Sequence, residues 1–424
     1  MRFFSPSMSG DRTRMFPRLI AVIVLSAAMF LMFMPLSPAQ DPPGPAPFAF
    51  TSGDWSVGEV AVGRAPGGGD VVAAWSGKRN DAQTYDGLYA QRVDTNGDFL
   101  WEGGLTLAEP ASNVVAPMIS VNADGSAIAV WRDNRTVSSK LYSQKVNTAG
   151  NTMWTSNGVA VANTMGEQHN PSLVSDGQGG AIVAWEDYPN GISNVYAQRI
   201  DSSGNHMWGS GGVLVSDAAG GRNQPSLVSD GSGGAIVAWH EENGSDVYGQ
   251  RFDAAGNRKW GNSGKPFSTA TACQVTPTVV MTPNGDFVTI WNDNRTGDLD
   301  IYGQKFDGNG NPVWPKETAL ARDPNILFDD PKPVRVQGNG WAASNDVAVF
   351  FKGTDTTAPA GQQQNIYGQV LNTTTGETPL TAPVQVLTPG VDDIKELHTT
   401  PRGTYGGFAA WTDNSSGNYH SYYN

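Results

Sequence analysis

Short runs of apolar residues alternate with polar clusters along most of this chain of 424 residues. Each run is rich in β-branched and aromatic residues, and each cluster is rich in Gly, Asn and Asp, which is typical of a strand followed by a tight turn. After residue 48 no segment keeps an apolar period of 3.6, so the pattern predicts strands and almost no helix.

The strands belong to a repeat. PSLVSDGQGGAIVAW begins at Pro171 and PSLVSDGSGGAIVAW begins at Pro225, 54 residues later. Each copy holds four strands, which we name a, b, c and d in chain order, and strand b ends in an aromatic residue in seven copies: Trp75, Trp131, Trp185, Trp239, Trp291, Phe351 and Trp411. This period predicts an all-β, seven-bladed β-propeller of four-stranded antiparallel blades, with a sandwich or a solenoid as the alternative.

The two ends of the chain suggest how the ring closes. The seventh copy stops at Asn424, at the end of its strand c, whereas residues 48–51 align with a strand d that has no earlier strands before it. We therefore expect the propeller to span residues 48–424, with the N-terminal strand completing the last blade. A ring closed in this way leaves no sheet edge exposed.

The N-terminal segment has the features of a secretory signal. Four Arg and one Asp precede the apolar run Leu19–Met34, and Ser37 and Ala39 supply the small residues of a cleavage site. The run is shorter than the roughly 20 residues of a membrane-spanning helix. We predict a signal peptide over residues 1–39, a Pro-rich linker over residues 40–47 and a secreted or periplasmic protein, with an uncleaved anchor as the alternative.

Charge and cysteine content narrow the possible partners. The chain has 27 Lys and Arg against 40 Asp and Glu, for a net charge of −13, and a single Cys. Nucleic acid and anionic membranes require clustered cations, so neither is expected as a partner once the signal is removed. One cysteine excludes a disulfide scaffold and a Cys-based metal site. We expect a monomer.

Residues that recur in every copy are assigned to the scaffold, because a ligand site breaks symmetry. The Trp that ends strand b and the Trp of the c–d connection are therefore predicted to form the core between blades. Strand c carries a recurrent Tyr-x-Gln, whose Gln is expected to satisfy backbone groups between blades. A carboxylate two residues after the strand b Trp, as at Asp133, Asp187 and Asp293, permits two interpretations. It forms a ring of ligand-binding groups on one face, or it caps turn N–H groups and pairs with Arg.

The order of the Asp-Gly turn, the AIVAW strand and the VYAQ strand resembles the blade pattern of TolB-like and related secreted bacterial and archaeal propellers. The resemblance covers essentially all of the chain after residue 48. It implies a propeller fold and leaves the function open, because such propellers include binding, scaffolding and enzyme-attached modules. The longer c–d connection, with its Gly-Asn and Trp, departs from that pattern.

The sequence contains no catalytic motif. G-x-S-x-G, H-E-x-x-H, the P-loop and G-x-G-x-x-G are missing, as are the S-x-D-x-G-x-T-W boxes of sialidases. We therefore predict no catalytic residues, no cofactor and no metal. The expected function is a non-enzymatic binding propeller for a protein or glycan at the cell surface or outside the cell. The alternatives are a hydrolase or lyase with a shallow central pocket and a structural surface-layer component.

The candidate ligand-binding residues lie in the d–a and b–c loops, which emerge on one face of a propeller and differ most between copies. Loops carry function while strands carry the scaffold. The predicted site consists of Glu167, His169, Arg222, Asn223, Asp329 and Asp393, together with Asp133, Asp187 and Asp293.

Overall fold

The computed structural model describes residues 20–26, 56–64, 70–78, 86–94, 96–109, 114–164, 166–268, 270–335, 346–359, 363–378, 380–391, 394–401, 406–413 and 420–423. These residues form strands and turns, with no helix among them. Accordingly, no helix in the described ranges is long and apolar enough to cross a membrane.

Six four-stranded antiparallel sheets follow one another along the chain, and each is one blade of a β-propeller. Blade one consists of β2 (Ser56–Arg64), β3 (Val71–Lys78), β4 (Gly87–Val93) and β5 (Leu105–Ala108). Blade two consists of β6 (Val114–Val121), β7 (Ala127–Asp133), β8 (Lys140–Val146) and β9 (Val159–Ala160). Blade three consists of β10 (Glu167–Ser175), β11 (Ala181–Tyr188), β12 (Asn194–Ile200) and β13 (Val213–Leu214). Blade four consists of β14 (Arg222–Ser229), β15 (Ala235–Glu241), β16 (Asp246–Phe252) and β17 (Lys265–Ser268). Blade five consists of β18 (Gln274–Met281), β19 (Phe287–Asp293), β20 (Asp300–Phe306) and β21 (Thr318–Ala321). Blade six consists of β22 (Ile326–Arg335), β23 (Val347–Asp355), β24 (Gln364–Leu371) and β25 (Val384–Val391).

A further sheet combines the two ends of the chain. It contains β26 (Ile394–Pro401), β27 (Gly406–Asp413), β28 (His420–Tyr423) and β1 (Ile20–Ser26). β1 pairs parallel with β28 and antiparallel with β27. It comes from the apolar run that the sequence assigns to a signal, whereas residues 48–51, predicted to close the ring, lie outside the described residues.

The first strands of successive sheets contact one another, from β2 and β6 through to β22 and β26, and β26 contacts β2. Strand a is therefore the innermost strand of each blade. In blades two to six the inner strand has a bulge at a residue that is followed by Pro. Five such residues, with φ between 47° and 55°, are Ala116, Asn170, Gln224, Thr276 and Asp330. The register of strand a shifts at each of these residues.

The strand b Trp residues fill the space between blades, which confirms their predicted place in the core. Trp185 has no exposed surface and packs in a cluster that joins residues of blades two and three, and Trp239 does the same between blades three and four. The Trp of the c–d connection also reaches the next blade, because Trp154 Nε1 donates to the Ser202 carbonyl at 3.1 Å. Burial of aromatic surface is thus repeated at the five interfaces between blades one to six, where it stabilises blade docking.

The strand c Gln acts mainly inside its own blade. Gln144 Oε1 accepts from the backbone N–H groups of Lys145 and Trp154, and its Nε2 donates to the Thr155 carbonyl at 2.9 Å. Because the c–d connection folds back along strand c, its backbone groups lie within reach of the Gln amide.

The prediction that the strand c Gln satisfies backbone groups between blades is confirmed for Gln250, whose Nε2 donates to the Val215 carbonyl at 3.5 Å, and for Gln369, whose Nε2 donates to the Leu320 carbonyl at 3.3 Å. The cation that follows the Gln also links blades. Lys145 Nζ donates to the Gly179 carbonyl of the next blade at 2.8 Å.

Candidate functional site

Three positions in each blade lie together where strand a begins. They are the bulge residue, the residue before it and the residue directly after the recurrent aromatic residue of strand b (Trp in blades two to five, Phe351 in blade six), and we call them the mouth positions. The register pairs the residue before the bulge with the residue after the Trp, as in His169 with Glu186 and Asn223 with His240. Directly opposed residues of an antiparallel pair point to the same face, so these side chains share one surface.

The mouth positions break the symmetry of the propeller. The mouth positions hold Val115, Ala116 and Arg132 in blade two, His169, Asn170 and Glu186 in blade three, and Asn223, Gln224 and His240 in blade four. They hold Val275, Thr276 and Asn292 in blade five, and Asp329, Asp330 and Lys352 in blade six. Blades three and four are polar at all three positions, and the blades on either side of them carry Val before the bulge. The repeated bulge belongs to the scaffold, but the side chains that it presents do not repeat.

Blade three holds an open pocket at these positions. Glu167 pairs with Tyr188 and His169 pairs with Glu186, which places four side chains on one face of the sheet. The cavity has a volume of about 380 Å³ and is lined by Glu167, His169, Asn170, Tyr188 and Gly191. The His169 and Tyr188 rings meet edge to face with centroids 5.3 Å apart. The pocket therefore combines an aromatic wall with carboxylate, imidazole and amide groups.

Glu186 is a buried carboxylate held by three neutral donors. Its Oε1 accepts from Asn170 Nδ2 at 2.9 Å and from the Gln224 backbone N–H at 2.7 Å, and its Oε2 accepts from the Tyr188 hydroxyl at 2.7 Å. Within the described ranges, no Lys, Arg or His nitrogen lies within 4.0 Å of this carboxylate. Burial raises the pKa of Tyr188, with the hydrogen bond to Glu186 acting in the same direction and that to Ser193 opposing it, so the phenol stays a donor. The carboxylate is thereby fixed in orientation without being neutralised by a cation.

His169 connects Glu167 to the neighbouring blade. Arg132 Nη1 lies 2.5 Å from His169 Nδ1, and His169 Nε2 lies 3.3 Å from Glu167 Oε2. A guanidinium only donates, so Nδ1 is the acceptor and the ring proton lies on Nε2, directed at Glu167. The Glu167 side chain is 58% exposed. It is thus the accessible carboxylate of the pocket.

Blade four carries a related arrangement. His240 Nδ1 lies 2.8 Å from Asn223 Oδ1, and Asn223 Nδ2 donates to Glu242 Oε1 at 3.0 Å. Burial lowers the pKa of His240, and the charges of Glu242 and Asp246 oppose that shift. A neutral imidazole must carry its proton on Nδ1 to donate to the Asn223 oxygen. The amide of Asn223 is therefore oriented from both sides.

Blade six presents charged groups at the same positions. Lys332 Nζ lies 2.6 Å from Asp330 Oδ1, and Lys352 Nζ lies 3.8 Å from Asp330 and 4.0 Å from Asp329. The positive charges of the two lysines thus partly neutralise the negative charges of the two aspartates. Among the described residues, no group of three or more His, Cys, Asp and Glu side chains has the arrangement of a metal site.

The predicted site residues divide according to burial. Glu167 and His169 lie together in the pocket, Asn223 lies in the neighbouring blade, Asp329 lies in blade six, and Asp393 is outside the described residues. Arg222 is 1% exposed, and its guanidinium contacts the Ala218 carbonyl and lies 3.1 Å from Glu241 Oε2, an ion pair without the alignment of a hydrogen bond. We leave Arg222 out of the site, because its donors are directed into the fold.

The three carboxylates after the strand b Trp residues are also buried in the scaffold. Asp133, Asp187 and Asp293 are at most 2% exposed, and each accepts from the indole N–H of the Trp two residues earlier, at 3.1 to 3.3 Å. Asp293 and Asp133 also accept from Arg295 and Arg135, respectively. These contacts match the interpretation in which the carboxylate caps a turn and pairs with Arg. We leave all three out of the site.

Sequence reasoning missed Glu186, Asn170, Tyr188, Gln224 and His240. A signal for them was present, because the residue after the recurrent aromatic residue of strand b is Arg, Glu, His, Asn and Lys in blades two to six. The predicted site relies on residues that differ between copies in the loops, whereas this variation lies inside strands a and b.

Comparison with known proteins gives structural neighbours and no family. No family model matches the sequence, and no curated protein matches it. An α-L-arabinanase from Penicillium chrysogenum, solved with arabinobiose, is 13% identical, with a TM-score of 0.47 over 73% of this chain and 92% of that one. The α-L-arabinofuranosidase of Fusarium graminearum is 10% identical, with a TM-score of 0.44 and the same coverages. The Hadza microbial sialidase Hz136 is 11% identical, with a TM-score of 0.45 over 81% of this chain and 74% of that one.

These neighbours overturn one prediction. They are β-propeller glycoside hydrolases and a sialidase, and they contradict the predicted non-enzymatic binding propeller. At identities of 10 to 13% the likeness extends to the fold, so the chemistry has to be argued from this chain's own residues. The resemblance to TolB-like propellers stays a prediction.

Proposed function

We propose that this protein is a glycan-acting hydrolase whose reacting groups are Glu167, which lines the blade three pocket, and Glu186, which is hydrogen-bonded to Asn170 and Tyr188 of the pocket lining. The observation that carries the proposal is a pair of carboxylates on one face of the sheet: Glu186, buried and held by three neutral donors, and Glu167, exposed beside His169. Hydrolysis of a glycosidic bond commonly uses two carboxyl groups with different environments. In this fold Glu186 is buried and Glu167 is exposed, so the two carboxyl groups have different environments.

The roles follow from the environments. Glu186 keeps a fixed orientation, so it is suited to activate water or to face the positive charge that develops at the anomeric carbon. Glu167 is accessible and bonded to His169 Nε2, so it is suited to exchange a proton with the leaving oxygen. In the overall reaction the water oxygen bonds to the anomeric carbon and loses a proton, the glycosidic bond breaks, and the leaving oxygen takes a proton from Glu167. The proton lost by water returns to the pair of carboxyl groups, so the pair is unchanged after one turnover. Tyr188 provides an apolar ring wall for a sugar face.

A reducing-end assay on a panel of α- and β-linked pentose and hexose oligosaccharides, including sialylated ones, tests this function. We expect the unaltered protein to cleave at least one linkage and Glu186→Gln to lower kcat by 10³-fold or more, within the range for loss of an essential catalytic group. The matched control is Glu102→Gln, at an exposed residue of a c–d connection, which should keep full activity. If no linkage is cleaved, or if Glu186→Gln is as active as the control, the hydrolase proposal fails.

We further propose that the propeller is a ring of seven blades and that its N-terminal segment acts as a secretory signal. The support is the sheet of β26, β27 and β28, which accepts a strand from the N-terminal part of the chain. That strand, β1, lies inside the predicted signal, so cleavage after Ala39 removes it. We propose that residues 48–51 then take its place beside β28. The protein is accordingly expected outside the cytoplasm, acting on a glycan there.

A further inference from the structure

The blade three pocket and blade four are joined at the mouth positions. Glu186 Oε1 accepts both from Asn170 Nδ2 in its own blade and from the Gln224 backbone N–H in the next one. Gln224 in turn extends to blade five, where its Oε1 accepts from the Thr276 backbone N–H at 2.9 Å. The reacting carboxylate therefore stands at the seam between two blades, so a ligand that reaches Glu186 also approaches Gln224.

At the position before the bulge, polar side chains span blades three and four. Val115 stands before the bulge in blade two and Val275 stands before it in blade five, whereas His169 and Asn223 occupy that position in blades three and four. At this one position Val stands on both sides of His169 and Asn223, and the other mouth positions of blades two and five include the polar Arg132, Thr276 and Asn292. Polar side chains on two adjacent blades fit a ligand longer than the blade three pocket alone.

Blade four presents oriented polar groups beside the seam. Asn223 is held between His240 and Glu242, and Gln224 and Glu242 are exposed. Blade four has Gly221 where blade three has Glu167, and a Cβ on Gly221 would come within 2.0 Å of Glu242 Oε2. The missing side chain leaves that space to the Glu242 carboxylate. An amide and a carboxylate preoriented at a surface offer donors and acceptors to sugar hydroxyls without an entropic cost of ordering.

We propose that Asn223, Gln224 and Glu242 form a second subsite that binds the sugar unit next to the one at Glu186, so that the substrate is an oligosaccharide of at least two units lying across blades three and four. This inference rests on the proposed hydrolase function. His240 is a positioning residue in it, because it acts on the sugar through the Asn223 amide.

The test compares two substrates of the sugar that the panel identifies: an aryl monoglycoside, which fills only the blade three pocket, and the oligosaccharide. We expect Asn223→Ala and Glu242→Ala to lower kcat/KM for the oligosaccharide by 10-fold or more and to change it for the aryl monoglycoside by less than twofold. Asn205→Ala, at a c–d hairpin on the opposite end of the sheet, is the matched control and should change neither value. Equal losses on both substrates, or no loss on either, overturn the subsite.

A binding measurement separates failure of the subsite from failure of the hydrolase. Calorimetric titration of Glu186→Gln with the disaccharides of the panel and with their constituent monosaccharides needs no turnover. We expect at least one disaccharide to bind 10-fold or more tightly than its monosaccharides, and Asn223→Ala added to Glu186→Gln to abolish that difference. If the unaltered protein cleaves a glycan but this difference is absent, the second subsite is wrong and the hydrolase stands. If no disaccharide is cleaved and none binds better than its monosaccharides, both proposals fail.

Discussion

Replacing Trp185 by Ala should remove one of the aromatic blocks that hold adjacent blades together. The Trp185 side chain has no exposed surface and packs among buried residues of blades two and three. Deleting a buried aromatic side chain costs about 3 to 5 kcal/mol, so the midpoint of denaturant unfolding should fall steeply. Trp239→Ala should cost a similar amount, because Trp239 holds the equivalent position between blades three and four.

The indole N–H contributes a separable part of that cost. Trp185 Nε1 donates to Asp187 Oδ2 at 3.2 Å, and the same carboxylate oxygen also accepts from Thr164 Oγ1. Trp185→Phe keeps most of the ring and loses one donor to a buried carboxylate, which should cost about 1 to 3 kcal/mol. Urea unfolding followed by circular dichroism measures both values, with Met207→Ala, at a side chain 45% exposed, as a control that should stay within about 0.5 kcal/mol. The reasoning is refuted if Trp185→Ala unfolds like the control, or if Trp185→Phe costs as much as Trp185→Ala.

Further predictions concern the blade ties, pH and ring closure. Arg199→Ala should destabilise the fold by about 3 to 5 kcal/mol in urea, because it leaves the buried carboxylate of Asp176, 2.9 Å from Arg199 Nε, without its cation. Burial lowers the pKa of His240 in the folded state, so the contribution of this imidazole to stability is present above its ordinary pKa of 6.5 and is lost as the pH falls below that value. The unaltered protein should therefore lose more thermal stability between pH 7 and pH 5 than His240→Gln. Equal losses in the two proteins would contradict the pH prediction. A chain that begins at residue 40 should stay monomeric in light scattering, whereas one that begins at residue 53 should aggregate through an unpaired edge, and equal behaviour would exclude residues 48–51 from the closure.

The scaffold could be predicted from the sequence because its residues recur. The Trp that ends strand b appears at the same place in successive copies, and Trp131, Trp185, Trp239 and Trp291 occupy equivalent buried positions. The alternation of apolar and polar residues predicts each strand, since the inner face of a blade must be apolar in every copy. Recurrence also singled out Asp187 and Asp293, but as candidates for both scaffold and site. Their contacts with the indole N–H groups could not be derived from spacing alone.

The site could be predicted only in part, because it depends on a change of register. Asn170 adopts a left-handed backbone conformation at 47°, which shifts the pairing of strand a so that His169 stands opposite Glu186. A one-residue shift reverses the face to which a strand's side chains point. Alternation along strand a therefore does not reveal that Glu167, His169 and Glu186 share a surface. Arg222 illustrates the opposite error, because a charged residue at the start of a strand satisfies buried carbonyl groups instead of a ligand.

The central claim is that repeated residues build the scaffold and that unrepeated residues at the mouth positions perform the chemistry. Two glutamates of adjacent blades allow the scaffold role and the chemical role to be tested separately. Glu186 directly follows the strand b Trp, at a mouth position, whereas Glu241 lies two residues after that Trp, at a scaffold position. Glu241 is buried, lies 3.1 Å from the Arg222 guanidinium and has its pKa raised by burial, with the charge of Arg222 opposing that shift. Glu241→Gln should therefore destabilise the fold by about 3 to 5 kcal/mol through an unpaired buried cation.

Measuring glycan hydrolysis and unfolding side by side for Glu186→Gln and Glu241→Gln tests the claim most directly. The account predicts that Glu186→Gln loses hydrolysis by 10³-fold or more while its melting temperature stays within a few degrees. It predicts that Glu241→Gln melts well below the unaltered protein and, assayed at a temperature where it is folded, retains hydrolysis within about threefold. Full activity in Glu186→Gln, or loss of hydrolysis in folded Glu241→Gln, would contradict the account.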